Sequence, residues 1–313
     1  MRDLAVIEAP SILGLRPSGV EDLPTALLRA GLLDGLKAVH AGRLDAPPYD
    51  PLRDHDTGVL NPHGIARYSA DLADVVGGVL DLGLFPVVLG GDCSILLGNL
   101  LALKRRGRYG LLFLDGHTDF YQPSAEPTGE VASMELALAT GRGPRLLADA
   151  EGRGPLVRDE DVVAFGFRDS EQSAEAGMQP LPPGLNTIGL GAVHEAGAAA
   201  AAQTAVDLLT AADSSGFWVH LDADVLDDAV MPAVDYRLPG GLDWAELDSV
   251  FEMALAHPGA MGLDVTIFNP RLDPDGRIAA RLAACLRRGL SVLTSHDRPP
   301  LNRDSSPDPG ERQ

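Results

Sequence analysis

The 313-residue chain has few cysteines, few basic residues and no long apolar run. Its two cysteines, Cys93 and Cys285, cannot form a disulfide framework, so we expect a reducing, cytoplasmic location. Because 45 Asp and Glu outnumber 25 Lys and Arg, the net charge of -20 repels phosphate groups, and we expect no nucleic-acid partner and no membrane-surface partner. The chain also lacks a run of about 18 apolar residues and a basic first segment, which argues against a spanning helix and a signal peptide. The expected partner is a small molecule.

Apolar residues make up 45% of the chain, enough to bury a large core. Short apolar runs alternate with longer amphipathic stretches, a pattern typical of βαβ units around a buried parallel sheet. The predicted strands are 4–8, 85–89, 111–114, 162–166, 217–221 and 261–267, and the predicted helices are 65–82, 95–105, 195–212, 244–257 and 277–288, with Gly289 ending the last. Residues 1–296 are therefore predicted to form one α/β domain, followed by a disordered tail at 297–313.

Two acidic motifs follow predicted strands. The strand at 111–114 leads into Asp115, His117 and Asp119, and the strand at 217–221 leads into Asp222 and Asp224. Side chains two residues apart in an extended chain point the same way, so the members of each motif can converge. Because ligands of open parallel sheets bind beyond the carboxyl ends of the strands, we expect both motifs to share one pocket.

These residue types predict a metal site. An isolated Asp-x-Asp is usually a solvated turn, whereas a histidine between two aspartates, with a second acidic motif in the same chain, favours metal ligation. Crowded carboxylates repel unless cations neutralise them, and oxygen-rich donors with one imidazole suit divalent ions such as Mn²⁺. A third motif, Gly90-Gly91-Asp92-Cys93-Ser94, is a glycine turn that directs Cys93 towards the same crevice.

The three motifs, in this order, resemble the ureohydrolase superfamily, which includes arginase, agmatinase and formiminoglutamase. The family pattern reads Gly-Gly-Asp-His-Ser, then Asp-Ala-His-x-Asp, then Asp-x-Asp-x-x-Asp-Pro. Further similarity, for example at Phe167-Arg168-Asp169 and Gly262-Leu263-Asp264, extends over almost the whole chain before the tail. The resemblance implies a three-layer α/β/α fold with a mostly parallel central sheet, as in arginases and deacetylases. It also implies a homo-oligomer, since relatives are commonly trimers or hexamers.

The resemblance further implies a binuclear Mn²⁺ centre with two ions per chain. Asp115 and Asp222 would bridge the ions, His117 and Asp224 would bind one, and Asp119 and Cys93 would bind the other. A hydroxide shared by the ions would attack a guanidino or amidino carbon, with Asp119 and Asp115 as catalytic residues. The implied function is a metal-dependent hydrolase of non-peptide, linear C–N bonds.

Three positions depart from the family pattern. Cys93 stands in place of a metal-binding histidine, and its thiolate also admits Zn²⁺, Fe²⁺, Co²⁺ or Ni²⁺, while a buried inert cysteine is the alternative. Ala132 replaces a proton-shuttling histidine, so proton transfer must use another group or water. Ile267 replaces a glutamate that pairs with guanidinium, and this loss makes arginine a doubtful substrate.

Tyr121, Thr128 and Glu171 are predicted to contact the substrate, with a solvated surface position as the alternative for Glu171. His220 precedes Asp222 by two residues on the same strand, and we interpret it as a satisfied core histidine. Two other functions stay open. One is a non-catalytic or regulatory protein that keeps the fold and the metal site, and the other is a hydrolase of acylated amines.

Overall fold

The computed structural model describes residues 2–211 and 213–294. Within these residues, eight strands form one sheet in the order β2-β1-β3-β8-β7-β4-β5-β6, and every neighbouring pair is parallel. The strands are β1 Leu4–Ala9, β2 Ala38–Arg43, β3 Phe85–Gly90, β4 Gly110–Leu114, β5 Val162–Phe165, β6 Asn186–Ile188, β7 Phe217–Asp222 and β8 Ala260–Thr266. The predicted tail at 297–313 lies outside the described residues, and the single domain over 1–296 stays a prediction.

Helices cover both faces of the sheet. They are α1 Leu23–Arg29, α2 Pro62–Asp81, α3 Leu96–Lys104, α4 Glu135–Ala139, α5 Arg145–Ala148, α6 Ser170–Glu175, α7 Leu190–Ala196, α8 Ala198–Ala211, α9 Trp244–Ala256 and α10 Arg277–Thr294, with short 3-10 helices at Val20–Asp22, Cys93–Ile95, Val131–Ser133, Ala150–Gly152, Asp159–Asp161, Ala223–Val225 and Pro270–Leu272. One apolar core packs α1, α8, α9 and α10 against the sheet, and a second packs α2 to α5 against the other face. The three-layer α/β fold is thus confirmed.

The predicted strands all occur, whereas the two edge strands were missed. Ala38–Arg43 is mostly exposed and Asn186–Ile188 has only three residues, so neither carries the apolar run of a buried strand. The helix predicted at 195–212 is divided at Gly197, whose φ is 82°. The predicted stop at Gly289 was wrong, because α10 continues to Thr294 and Gly289 instead lies buried beneath Phe251.

The strand order brings the three motifs together. Strands β3, β8, β7 and β4 are consecutive neighbours, and their parallel direction places all their carboxyl ends at one edge of the sheet. Cys93, Ile267, Asp222 and Asp115 follow or end these strands, so they meet although they are far apart in sequence. Among the described helices, none is long and apolar enough to span a membrane.

Candidate metal centre

The first cluster of potential ligands is the His117 group, which consists of Asp115, His117 and Asp224. Its donor atoms lie within 4.8 Å of one another. The strand-end backbone fixes one oxygen of each carboxylate, since Asp115 accepts from the His117 N–H at 2.6 Å and Asp224 accepts from the Gly116 N–H at 3.0 Å. The second Asp224 oxygen lies 3.0 Å from His117 Nδ1, and Asp115 Oδ2 is buried without a hydrogen-bond partner. An orphaned buried oxygen beside an imidazole fits a cation ligand.

Asp222 joins this group to Cys93. One Asp222 oxygen accepts from the Asp224 N–H at 2.7 Å, and the other accepts from the Cys93 thiol at 3.0 Å. Cys93 also lies 3.2 Å from the Thr266 hydroxyl and is only 1% exposed. The structure therefore brings position 93 to the acidic cluster, as the sequence motifs predict.

Asp119 belongs to a further cluster with Asp115 and Glu135, again with donor atoms within 4.8 Å. Asp119 takes a left-handed conformation, with φ 43°, which is uncommon outside glycine and is tolerated best by Asn and Asp. Glu135 begins α4, is fully buried, and interacts with the Asp119 carboxyl, but neither of its oxygens makes a hydrogen bond of ordinary geometry. The sequence interpretation missed Glu135. The available signal was an acid inside the apolar stretch that follows Met134.

His220 is fully buried beneath the same cluster. Its Nδ1 lies 2.6 Å from Asp264, and its ring stacks on Phe113 with centroids 4.9 Å apart. Its Nε2 has no hydrogen-bond partner. The interpretation of His220 as a satisfied core histidine is thus correct for one ring nitrogen and wrong for the other.

Burial makes the ionised cluster unfavourable without a cation. It raises the pKa of Asp119, Asp222 and Glu135 well above their usual values, and it raises the pKa of Asp115 to about 6. For His117 burial acts in the opposite direction, but the Asp224 and Asp115 carboxylates raise its pKa well above the usual value. Several buried carboxylates repel one another when they are ionised, and bound divalent ions would supply the positive charge that stabilises them. The donor set therefore fits divalent ions.

A cavity of about 310 Å³ opens above the cluster. His117, Asp119, Asp222, Asp224 and Cys93 form its floor, and Asp115 is 1% exposed beneath them. Five of the six predicted metal ligands therefore face the cavity, and the sixth lies directly below it. Their roles as ligands stay predictions.

Two of the three departures from the family pattern, Ala132 and Ile267, lie on the cavity wall. Two of the predicted substrate contacts, Tyr121 and Thr128, also line it. Ile267 has φ 67°, an outlier for a β-branched residue, and its N–H donates to Gly91 O at 2.9 Å. The surrounding structure thus holds a strained backbone that directs an apolar side chain to the cavity, at the position where the family resemblance implies a glutamate.

Glu171 does not line the cavity. It lies exposed on α6, and the next residue, Gln172, faces the cavity instead. One residue rotates a helical side chain by about 100°, so neighbours on α6 face different directions. The structure thus favours the surface alternative for Glu171.

Glu130 and Tyr236 form a polar part of the wall that sequence reasoning missed. Tyr236 OH donates to Glu130 Oε2 at 2.5 Å, and Glu130 Oε1 has only a loose ion pair with the exposed Arg16 guanidinium at 3.6 Å. The nearby Glu126 carboxylate is already occupied, because it accepts from the Thr128 hydroxyl and from the N–H groups of Gly129 and Glu130. Glu130 is therefore the carboxylate with capacity left for a ligand.

Arg168 fixes the loop behind Asp224. Its Nη2 donates to the carbonyls of Asp224 at 2.9 Å, Leu226 at 3.2 Å and Leu238 at 3.0 Å. The adjacent Asp169 accepts from the backbone and hydroxyl of Thr118 at 3.1 and 3.0 Å. The Phe167-Arg168-Asp169 segment thus supports both acidic motifs from outside the cluster.

A model of the Arginase family matches residues 2–291. The chain belongs to the Arginase family. An arginase from Staphylococcus aureus (strain MRSA252) is 26% identical over 286 residues, which cover 89% of this chain and 93% of that protein. The structure of arginase from Bacillus caldovelox has a TM-score of 0.81 at 27% identity and covers 93% of this chain and 98% of its own. Formimidoylglutamase from Bacillus subtilis subsp. subtilis str. 168, at 17% identity and TM-score 0.72 over 94% and 87% of the two chains, shows the shared fold alone.

Membership in the Arginase family confirms the resemblance of the sequence motifs and supports a metal-dependent hydrolase of the amidinohydrolase type. The buried orphaned oxygens and the clustered imidazole and carboxylate donors are consistent with metal binding. The identity and number of the ions, the homo-oligomeric state and the cytoplasmic location stay predictions.

Proposed function

We propose that this protein is a metal-dependent hydrolase of non-peptide, linear C–N bonds that acts on a guanidino-like or amidino-like small molecule. The observation that carries the proposal is the convergence of Asp119, Asp222, Asp224 and His117 at the floor of a cavity of about 310 Å³. This volume lies at the small end of ordinary ligand pockets. A small substrate could therefore reach the donor cluster directly.

Two divalent ions bound there, with Mn²⁺ expected, would supply Lewis acidity and lower the pKa of a shared water. The protein's part is to hold its donors in place. Asp115 and Asp224 are fixed by the backbone N–H groups of the loop after β4, and Asp222 is fixed by its own turn. Asp119 lines the floor, so its carboxylate is placed to orient a nucleophilic water and to accept a proton.

The walls suggest how the substrate lies. Next to the floor, Ala132 and Ile267 are apolar and offer no carboxylate to a guanidinium group. On the polar side, Glu130 with Tyr236 can pair with a separate cationic group of the substrate. We therefore propose a substrate with a reactive amidino-type carbon at one end and a cationic amine at the other. We expect arginine to be a poor substrate despite its amine, because its strongly basic guanidinium finds no carboxylate at Ile267.

A product screen tests the proposed reaction. The full chain is loaded to two ions with Mn²⁺, or with Mn²⁺ together with Zn²⁺ or Co²⁺. It is incubated with arginine, agmatine, guanidinobutyrate, hydroxyarginine and formimino compounds, and the release of urea, ammonia or formamide is measured. We expect release from at least one of them. No release from any of them by the fully loaded protein would refute the proposal and favour the non-catalytic alternative, whereas acetate release from acylated amines would favour an amide hydrolase.

The variant Glu130→Gln tests the substrate orientation. A lost charge-assisted hydrogen bond is worth about 1.5–3 kcal/mol, so we expect KM for a cationic substrate to rise at least roughly tenfold. Glu171→Gln is the matched control, because that glutamate is exposed and lies outside the cavity. An equal KM in both variants would contradict the assigned role of Glu130.

A further inference from the structure

Three side chains from separate elements converge at the cavity floor, and we call them the Cys93 group: Cys93, which lines the floor, and the more deeply buried Glu135 and His220. They come from the turn after β3, the start of α4 and the middle of β7. Their donor atoms lie within 4.8 Å of one another, and all three residues are at most 1% exposed. A thiol, a carboxylate and an imidazole thus share a space from which solvent is excluded.

The donors of this group are incompletely satisfied. His220 Nε2 is buried and has no hydrogen-bond partner, and the buried Glu135 carboxyl faces Asp119, a second acid whose contact is too loose to satisfy the Glu135 oxygens. Buried polar side-chain atoms in folded proteins are nearly always paired, so a concentration of unpaired ones at a single point indicates a missing partner. One cation can satisfy a carboxylate, a neutral imidazole and a thiolate at the same time.

The His220 ring is held in a fixed orientation. Asp264 lies beside it on β8 and engages Nδ1 at 2.6 Å, while the other Asp264 oxygen accepts from Trp218 Nε1. Phe113 on β4 stacks on the ring with an interplanar angle of 16°. Gly262 leaves the room that the Trp218 ring occupies, because a Cβ there would approach the ring to 2.1 Å. A carboxylate behind one nitrogen and a free second nitrogen is the usual arrangement of a metal-ligating histidine.

We propose that Cys93, Glu135 and His220 bind one divalent cation at the buried side of the cavity floor. The family pattern expects the imidazole of this half of the centre at position 93, and here His220 supplies it from the neighbouring strand. Sulfur, nitrogen and oxygen donors together favour Zn²⁺ or Co²⁺ over Mn²⁺, which prefers oxygen. Glu135 also belongs to the cluster with Asp115 and Asp119, so the proposed ion would lie next to the carboxylates of the cavity floor.

The same residues could instead suggest a cysteine nucleophile activated by histidine. The geometry does not favour that arrangement, because the Cys93 thiol donates to Asp222 at 3.0 Å and not to His220. The nucleophile and its base are hydrogen-bonded in such sites. Metal binding releases the thiol proton to solvent and needs no oxidant or reductant.

Cobalt titration of the full chain tests the proposal. Co²⁺ bound by a thiolate shows near-ultraviolet sulfur-to-metal charge-transfer absorption, and X-ray absorption of the zinc form should show a Zn–S distance of about 2.3 Å. We expect both signals in the wild-type protein, together with two ions per chain. Binding with oxygen and nitrogen donors alone would overturn the proposal.

Variants assign the signal to the three residues. Cys93→Ser should abolish the sulfur signal, and His220→Gln and Glu135→Gln should each lower the metal content from two ions to one. Cys285→Ser is the matched cysteine control and His194→Gln the histidine control, since His194 is 48% exposed at the surface. If the Cys93 and His220 variants keep the wild-type spectrum and stoichiometry, the proposal is wrong.

Two measurements on the wild-type protein test the site even if a variant fails to fold. The first is the pair of wild-type metal spectra described above, and the second is alkylation of Cys93. Rapid alkylation of Cys93 by iodoacetamide at the same rate with and without metal would overturn the proposal, because a ligated thiolate is protected. The inference rests on the metal dependence in the proposed function but does not require turnover. Sulfur ligation of the metal without hydrolysis would refute only the proposed function. Hydrolysis without sulfur ligation would refute only the proposed Cys93 site.

Discussion

The His117 group and the Cys93 group lie at the same edge of one sheet but differ in how their donors are held. In the His117 group, backbone N–H groups of the strand-end turns fix the carboxylates, and Asp224 pairs with His117 at 3.0 Å. In the Cys93 group, buried side chains carry the donors, the second His220 nitrogen has no partner, and Glu135 faces another acid, Asp119. The first group joins two short motifs that are each visible in the sequence, whereas the second is assembled from single residues on three separate elements.

This difference has a chemical consequence. Each acidic motif presents its own carboxylates through a short turn, and the strand order then brings the two motifs together, so the His117 group consists of donors that the family resemblance implies. The Cys93 group departs from the family pattern at position 93 and gains donors that only the packing of α4, β7 and β8 supplies. We therefore expect the two groups to prefer different metals and to fail independently.

The largest effect should come from Asp115→Ala, because Asp115 belongs to the His117 group and also to the cluster with Asp119 and Glu135. We expect the loss of both ions. Activity should fall by more than the roughly 10–100-fold that is typical when a residue that only hydrogen-bonds to a metal ligand is replaced. Metal analysis after dialysis and an initial-rate assay measure this. Asp81→Ala is the control, since its carboxylate pairs with Arg106 at the surface at 2.6 Å. Two retained ions would disprove the linking role of Asp115.

The paired variants His117→Ala and His220→Ala test whether the groups are separable. Each removes one imidazole from one group, so each should cost one ion per chain. His117→Ala should keep the cobalt–sulfur band and lose activity, whereas His220→Ala should lose the band. If the band disappears in both variants, the two groups form one inseparable site.

Asp264→Asn should weaken only the Cys93 group. Two N–H donors, from His220 and Trp218, converge on the Asp264 carboxylate, and an amide has a single acceptor oxygen to offer them. We expect roughly 10–100-fold weaker binding of that ion in a metal titration and no change at the His117 group. Trp218→Phe removes the donor that does not touch His220, and its effect should be smaller. Equal losses from both groups would contradict a local orienting role.

The smallest effect on metal binding should come from Gly289→Ala, far from both groups. A Cβ at this position would lie 2.9 Å from Phe251 Cβ, so overpacking should destabilise the fold by about 1–3 kcal/mol. Gly78→Ala on α2 is the matched control, because a Cβ there meets nothing within 4 Å and should stabilise the helix by up to about 1 kcal/mol. Urea denaturation measures both. A change in metal content in either variant would show that global stability, and not the site, controls metal binding.

Much of the fold could be predicted from local patterns. The six buried strands are short apolar runs, and the larger helices are amphipathic or apolar stretches between them. The edge strand Ala38–Arg43 was missed because its residues are mostly exposed, and strand pairing with β1 creates it. The predicted helix stop at Gly289 was wrong, because the glycine is there for close packing on Phe251 and does not end the helix.

The candidate site divides in the same way. Asp115, His117, Asp119, Asp222 and Asp224 could be found because each motif follows a buried strand, and alternation aligns its side chains. Glu171 does not reach the cavity because its direction depends on how α6 is rotated against the loop. Glu130 and Tyr236 were missed because they are 106 positions apart and their contact exists only after folding.

By itself, the sequence determined the α/β class, the family motifs and the acidic character of one edge of the sheet. These features depend on apolar periodicity and on residues within a few positions of each other. Only the tertiary structure decided which side chains complete the cluster, since Cys93, Glu135 and His220 meet through three separate elements and are brought together by strand order and packing. The physical reason is burial. The second His220 nitrogen is unpaired and the Glu135 oxygens are poorly satisfied only in the folded core, because in the unfolded chain water would satisfy both groups.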